Sequence, residues 1–247
     1  MRIVRFTNVL VAGMAFWVIP VTSFSQDAAF KGWVGELASE DFKARVQAQD
    51  KILEWANANP AKSKDLLLRE YEGAKDPEVQ LRLRESLKTV VIGDHQAKNA
   101  AGYLGITMED VNGGIPVPNP KPGVLVKAVQ PGSPAQQAGI RNNDVILAMD
   151  NTRWSGPEAR EALIAEVKKL RPGTEVNLEV LRGAETLKLP LKLGARPMGL
   201  PDNQARFING FIPAGPDFEM LERMEQEARE AFFKDWLERT RKKPAAP

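Results

Sequence analysis

Apolar residues recur at helical spacing from residue 27 to residue 92, and this period predicts an all-helical segment. One predicted face, with Ile52 beside it, collects Phe42, Val46, Leu53 and Ala56. Asn59-Pro60 breaks that helix, and a second apolar set follows at Leu66, Leu67, Leu68 and Tyr71. Each predicted helix therefore has one face to bury against a neighbour.

A further helix should begin at Asp76-Pro77, because Asp caps free amides and Pro suits the first turn. Its apolar stripe is Val79, Leu83, Leu87 and Val90. The phrases SEDFKARVQAQDKILEWA and AKDPEVQLRLRESL resemble HEAT-type helical hairpins. That resemblance implies a scaffold surface at residues 27–92. Because so few hairpins bury little core by stacking, we expect packing against the next domain.

From about residue 99 to residue 197 the apolar period changes to two, which is typical of strands. One predicted strand buries Val176, Leu178 and Val180; the next buries Leu187, Leu189, Leu191 and Leu193. A hairpin turn at 182–185 joins them, and shorter β-rich runs lie at 124–129 and 145–149. Two helices interrupt the strands. One runs from a cap at Ser133 to Gly139, and the other spans 157–170 with Leu163, Val167 and Leu170 inward.

The two ends of the chain differ from this middle. Residues 1–25 have a basic start, a stretch of 13 uncharged residues at 9–21 and small residues at 23 and 25. They are typical of a cleaved signal peptide, with an uncleaved membrane anchor as the alternative. Residues 198–216 are rich in Pro and Gly and predict a linker. Residues 217–243 predict an amphipathic helix, and its apolar face is Phe218, Leu221, Ala228, Phe232 and Trp236. That face either folds back on the protein or docks a partner.

Charge and cysteine content narrow the possible functions. The chain has 34 Lys and Arg against 32 Asp and Glu, and removing the first 25 residues removes Arg2 and Arg5, which leaves 32 of each. A neutral chain has no basic excess for a phosphate backbone, so we expect no nucleic-acid partner. The absence of Cys excludes disulfides, thiol nucleophiles and thiolate metal sites.

Five phrases occur in one order between residues 99 and 197: GYLGI, PGVLVKAV, PGSPAQQAGI, NDVILAMD and RPGTEVNLEVLRG. In that order they resemble a PDZ domain of the circularly permuted type found in the bacterial HtrA/Deg group of serine proteases. The resemblance implies an α+β multidomain chain. N-terminal helical hairpins precede a PDZ β-sandwich or partly open barrel with two helices, and a C-terminal helix follows.

The PDZ resemblance also implies a site, because such domains bind peptide by adding it as a strand to an open sheet edge. That edge would be residues 106–111, and the loop before it would direct the amides of Leu104, Gly105 and Ile106 at a terminal carboxylate. Leu104 and Ile106 would floor an apolar pocket, closed by Ile164 with Arg160 nearer the rim. The implied peptide-binding set is Tyr103, Leu104, Gly105, Ile106, Thr107, Met108, Arg160, Ile164 and Val167.

This chain departs from related domains at two places. Asn143 stands in a turn where relatives commonly have Gly, and Asn tolerates the left-handed conformation. Ala100 and Ala101 stand where relatives often have a basic residue, and Lys98 is the nearest cation along the chain. Binding of internal segments therefore stays open beside binding of a free C-terminus. The Pro-rich connection 112–121 could shape the groove or cover part of it.

Residues with catalytic potential are sparse. His95 is the one His in the sequence and lies in the connector before the strands, outside any catalytic phrase, so we interpret it as a solvated residue. The sequence contains no G-x-S-x-G, H-E-x-x-H or P-loop pattern. Three Ser-Lys pairs lie on predicted amphipathic helices and suit capping or solvated faces: Ser39/Lys43, Ser63/Lys64 and Ser86/Lys88. We expect no catalytic residues, no metal and no cofactor.

The sequence therefore predicts a periplasmic or secreted, non-catalytic adaptor whose groove binds C-terminal or extended peptide segments. Its partners would be protein C-termini, unfolded exported proteins or a protease, with membrane contact only if the signal is uncleaved. The alternative is a structural assembly protein whose helices make the contacts and whose groove is idle. More remote is an accessory component of a serine protease, or a divergent protease.

Overall fold

The computed structural model describes residues 23–111, 123–154, 158–200 and 218–242. It begins with four helices: α1 Ser23–Glu36, α2 Phe42–Ala58, α3 Ser63–Gly73 and α4 Pro77–Asn99. The prediction of N-terminal helices is confirmed. The chain divides into two compact units, Met1–Ser86 and Leu87–Pro247. Most of the predicted signal peptide, the connection at 112–121 and most of the predicted linker lie outside the described residues.

The buried face of α2 differs from the predicted one. Its buried residues are Ala48, Ile52, Trp55 and Ala56, whereas Phe42 is 62% exposed. The reason is Trp55, whose ring stacks on Phe30 of α1 with centroids 4.5 Å apart. Burying that large ring pair rotates the helix so that Ile52, predicted as a flanking residue, becomes the centre of the face.

Helix α4 follows its predicted pattern. Its predicted stripe of Val79, Leu83, Leu87 and Val90 is buried. Asp76 Oδ1 accepts hydrogen bonds from the amides of Glu78 (2.8 Å) and Val79 (3.0 Å), which is the expected cap. The helix continues to Asn99, so the predicted connector around His95 is helical.

Eight strands follow: β1 Gly102–Tyr103, β2 Ile106–Asp110, β3 Val124–Val129, β4 Val145–Met149, β5 Thr152–Arg153, β6 Glu175–Arg182, β7 Glu185–Lys192 and β8 Gly194–Ala195. β1 pairs with β8 in a small antiparallel sheet. The larger sheet has the order β2-β3-β4-β6-β7, with β5 paired to β4. Among the described strands neither sheet closes into a barrel.

Two helices flank this sheet, α5 Pro134–Gln137 and α6 Ala159–Lys169. Leu163 and Val167 of α6 pack into a core with the predicted inward residues of β6, all three of which are buried. On β7, Leu191 is buried, but Leu187 and Leu189 are only half-buried because β7 is the edge strand of the sheet. Pro157, the predicted start of α6, lies outside the described residues.

The C-terminal helix α7, Phe218–Lys242, packs against residues of its own unit. The Phe232 ring lies 4.3 Å from the His95 ring, and Lys88 pairs with Glu230 at 3.2 Å. The buried residues are Phe233 and Leu237, one position beyond the predicted Phe232 and Trp236, which are half-buried. His95 is therefore packed against a ring, not simply solvated. None of the described helices combines the length and apolar content needed to span a membrane.

Candidate functional site

A groove runs between β2 and α6. Its lining residues come from β1, the loop after it, β2, α6 and the residue after β8: Gly102, Tyr103, Leu104, Gly105, Ile106, Met108, Leu163, Ile164, Val167, Lys168 and Arg196. Leu104 and Met108 are buried, and Ile106 and Ile164 are half-buried, so the floor is apolar. The volume is ≈ 40 Å³. One water-sized sphere occupies about 10–15 Å³. The pocket therefore has room for a small aliphatic side chain.

The outer edge of β2 is unpaired within the described residues, because β3 is its one neighbour there. The amide of Gln130 donates to Gly105 O at 2.9 Å, so the next pair, Ile106 with Val129, is a non-hydrogen-bonded pair of the antiparallel ladder. Val126, opposite Met108, exchanges its hydrogen bonds with residues 143 and 144. The amides and carbonyls of Ile106 and Met108 therefore face the groove.

The loop at the head of the groove is anchored from behind. Leu104 O accepts a hydrogen bond from the Ala135 amide at 2.9 Å. Among the described residues, the amides of Leu104 and Gly105 donate to no backbone acceptor.

Two features of the structure require Gly at position 105. Its φ is +81°, which favours Gly. A Cβ built there would overlap Ser133 Cβ and lie 2.9 Å from Ser133 Oγ. Ser133 caps α5 by accepting from the Gln136 amide. The missing side chain therefore leaves room for α5 behind the loop.

Both ends of α6 are fixed to the strands beside the groove. At the far end, Asp110 Oδ1 accepts from the Arg160 amide at 2.9 Å, so a β2 carboxylate caps the helix. At the head, the Gly102 amide donates to Leu170 O at 2.8 Å. Gly102 has no room for a side chain, since its Cβ would lie 2.7 Å from Val167 O. These two attachments set the width of the groove.

The structure gathers most of the predicted site residues and separates two. Tyr103, Leu104, Gly105, Ile106, Met108, Ile164 and Val167 line the groove. Thr107 pairs with Ala128 of β3 and does not line it. Arg160 lies at the Asp110 end, where its side chain pairs with Glu161. Thr107 and Arg160 are therefore not among the residues that line the groove.

Two cations at the head of the groove escaped the sequence reasoning, Lys168 and Arg196. The Arg196 amide donates to Ala101 O at 3.0 Å, so Arg196 lies opposite the Ala where relatives often have a basic residue. The predicted nearest cation was Lys98, but nearness along the chain is the wrong measure. The sequence feature that could have identified Arg196 is the last strand of the domain, because in a circularly permuted sheet the last strand pairs with the first.

Tyr103 lines the groove together with Arg196, and nearby charges affect the pKa of its hydroxyl. Its hydroxyl donates to Gln130 Oε1 at 2.8 Å. Burial raises the pKa of this phenol, the positive charge of Arg196 opposes that rise, and the negative charge of Glu225 on α7 adds to it. The head of the groove therefore lies within the electrostatic field of both charges.

Residues 102–193 match the family model described as PDZ domain. This region of the chain is a PDZ domain. Asn143, in a turn of this PDZ domain, has φ +69°, which confirms that Asn holds the left-handed turn. The groove between β2 and α6 is the place where the resemblance located peptide binding.

Similar proteins match the PDZ domain and little else. A probable periplasmic serine endoprotease, DegP-like, from Chlamydia trachomatis is 31% identical over 99 residues, which are 39% of this chain and 19% of that protein. The chloroplastic membrane metalloprotease ARASP of Arabidopsis thaliana is 34% identical over 114 residues, 44% of this chain and 25% of that protein. This chain thus spans a fifth to a quarter of these relatives.

One similar solved structure is the HtrA-type protease AlgW with decapeptide. It is 24% identical and covers 48% of this chain and 35% of its own, with a TM-score of 0.35. That score is too low to relate the two whole chains.

The serine hydroxyls of the three Ser-Lys pairs are either hydrogen-bonded to the backbone or buried. Ser39 Oγ accepts from the Asp41 amide, and the hydroxyls of Ser63 and Ser86 are fully buried, where no substrate reaches them. In the described ranges, no three His, Asp or Glu side chains are grouped as metal ligands would be. The matched PDZ domain is itself non-catalytic.

Proposed function

We propose that this protein is an exported, non-catalytic adaptor whose PDZ groove binds C-terminal or extended peptide segments by strand addition. The observation that carries the proposal is the outer edge of β2. Its Ile106 and Met108 backbone groups face an apolar groove, and the Leu104 and Gly105 amides lie at its head. An extended peptide satisfies such an edge with main-chain hydrogen bonds.

In this mode the peptide lies antiparallel to β2 and ends at the loop of Leu104 and Gly105. Its last apolar side chain enters the pocket between Leu104 and Ile164. Four or five hydrogen bonds at about 1 kcal/mol each and one buried side chain at about 2 kcal/mol sum to roughly 6–7 kcal/mol. That corresponds to a Kd of about 10 μM, so the adaptor releases its ligands readily.

Export and partners belong to the same proposal. The signal-like residues 1–25 and the relatives whose names include the word periplasmic support a periplasmic or secreted location. The proposed partners are protein C-termini, unfolded exported proteins or a protease. The helical hairpins, proposed to be HEAT-like, would carry the PDZ domain as a scaffold.

The test is a fluorescence-anisotropy screen of C-terminal peptides against the chain without residues 1–25, repeated with Ile106→Asp. The matched control is Leu189→Asp, because Leu189 is also a half-buried residue packed on the same core, but on the opposite edge strand. We expect saturable binding of apolar tails, lost in Ile106→Asp and kept in Leu189→Asp. Absence of binding across the library, or equal loss in both variants, would refute the proposal.

A second candidate is a structural assembly protein whose helices make the contacts. Two large apolar side chains on the N-terminal helices favour it, Phe42 at 62% exposed and Leu81 at 54%. Sedimentation of the purified chain over a range of concentrations tests self-assembly. Assembly that is lost in Phe42→Ser and Leu81→Ser, but kept in Ile106→Asp, would favour this candidate.

A further inference from the structure

The head of the groove is lined by positive charges, which the addition of a peptide strand to β2 does not require. The charged residues among those lining the groove are both cationic, Lys168 and Arg196. Arg196 is fixed at its backbone by the bond to Ala101, and its guanidinium donates to Leu200 O at 3.3 Å. It is therefore a held cation beside the loop amides, where the end of a bound peptide would lie.

Helix α7 backs the segment that carries Arg196. Three residues further on, Gly199 lies so close to α7 that an added Cβ would be 2.8 Å from Ala228 Cβ and 3.1 Å from Met224 O. Glu225 follows Met224 directly; its side chain is 24% exposed and accepts a hydrogen bond from Arg229 at 3.3 Å. Glu225 thus places a half-buried carboxylate on the helix that backs the Arg196 segment, one residue from the contact with Gly199.

We propose that Arg196 makes the head of the PDZ groove an anion site and that Glu225 of α7 weakens it. Docking of the C-terminal helix then sets how strongly the groove prefers a free C-terminal carboxylate over an internal segment. The inference rests on the proposed peptide binding. Both charges act on Tyr103 in opposite directions, which agrees with their common position at the head. Both residues are half-buried, so their fields are screened less than those of fully exposed charges.

The test uses one library peptide with an apolar last residue, synthesised as the free acid and as the C-terminal amide. The measured quantity is the ratio of the two Kd values, by anisotropy. Arg196→Gln should lower the preference for the acid about 10-fold, the loss expected for one charge-assisted hydrogen bond. Arg196→Lys should restore part of it. Glu225→Gln should raise the affinity for the acid about 2- to 5-fold, as expected for a neighbouring charge in partial contact with water.

Matched controls separate this from general charge effects. Lys192→Gln removes an exposed cation from β7, and Glu222→Gln removes an exposed carboxylate from the same face of α7 one turn earlier. Neither should change the ratio, and the amide should bind all variants alike. An unchanged ratio in Arg196→Gln, or equal effects of Glu225→Gln and Glu222→Gln, overturns the inference and leaves peptide binding standing. If neither peptide form binds the unsubstituted chain, both proposals fail.

Discussion

Replacing Gly105 by Ala tests how the loop at the head of the groove is built. The φ of +81° costs a residue with a side chain about 1–2 kcal/mol, offset by about 0.4–1 kcal/mol because Ala restricts the unfolded chain more than Gly. Overlap of the new methyl group with Ser133 adds about 1–3 kcal/mol, the usual cost of overpacking. The sum is a loss of roughly 2–4 kcal/mol in the free energy of unfolding of the PDZ domain.

Two further variants separate the contributions. Gly132 has φ +70° and open space where a Cβ would lie, so Gly132→Ala should cost only the backbone strain, about 1 kcal/mol. Ser133→Gly removes the atoms that the methyl group introduced by Gly105→Ala would meet, and it weakens the cap by only a few tenths of a kcal/mol. The double variant should therefore recover about half of the loss and show a favourable coupling between the two sites.

The assay is native-state hydrogen exchange, followed at buried amides of β3, β4 and β6. It reports unfolding of the PDZ domain within the intact chain, independently of the helical unit. Peptide affinity is measured in parallel and should fall in Gly105→Ala, because the loop must move away from α5. Equal losses in Gly105→Ala and Gly132→Ala, or additive effects in the double variant, would show that Ser133 does not constrain this loop.

Four other substitutions have definite expected outcomes. Arg182→Met leaves the buried Asp144 carboxylate without its guanidinium and should lower the free energy of unfolding by about 2–3 kcal/mol, reduced from the fully buried case because Arg182 is 28% exposed. The exposed Arg153→Met should cost less than about 1 kcal/mol, and urea denaturation compares the two. Asn143→Gly should raise stability by about 0.5–1 kcal/mol by relieving a positive φ, seen as a higher urea midpoint. Phe233→Ala should cost about 3 kcal/mol of packing and should speed exchange of the α7 amides while β6 stays protected; uniform acceleration would contradict it.

Local sequence signals predicted two of the strands well, but they missed the buried face of α2 and, by one position, that of α7. The strands 124–129 and 145–149 were predicted to their ends, because short Val- and Ile-rich runs lie between Gly, Pro and Asn residues. The α2 face was wrong, because apolar spacing alone ignored how much area Trp55 buries against Phe30. The apolar period along a helix predicts that the helix has a buried face, but its largest side chain decides which residues lie at the centre of that face.

The site residues that were not predicted from the sequence are those that approach the groove only in the folded chain. The loop and the floor of the groove came from one continuous phrase, Gly102 to Met108, and were predicted. Arg196 and Glu225 reach the same place through β1–β8 pairing and α7 packing, which depend on contacts far apart in the sequence. Lys98 was predicted as the nearest cation because only distance along the chain was considered.

Attachment of α6 at both ends has a kinetic consequence. Because Asp110 of β2 holds one end and Gly102 of β1 holds the other, no hinge is left within the described residues of this helix to widen the groove before a ligand enters. Association should then be a single step, with an observed rate that rises linearly with peptide concentration up to saturation of the signal. Ligand selection would come from dissociation, since a tail too bulky for the fixed width leaves sooner and need not enter more slowly.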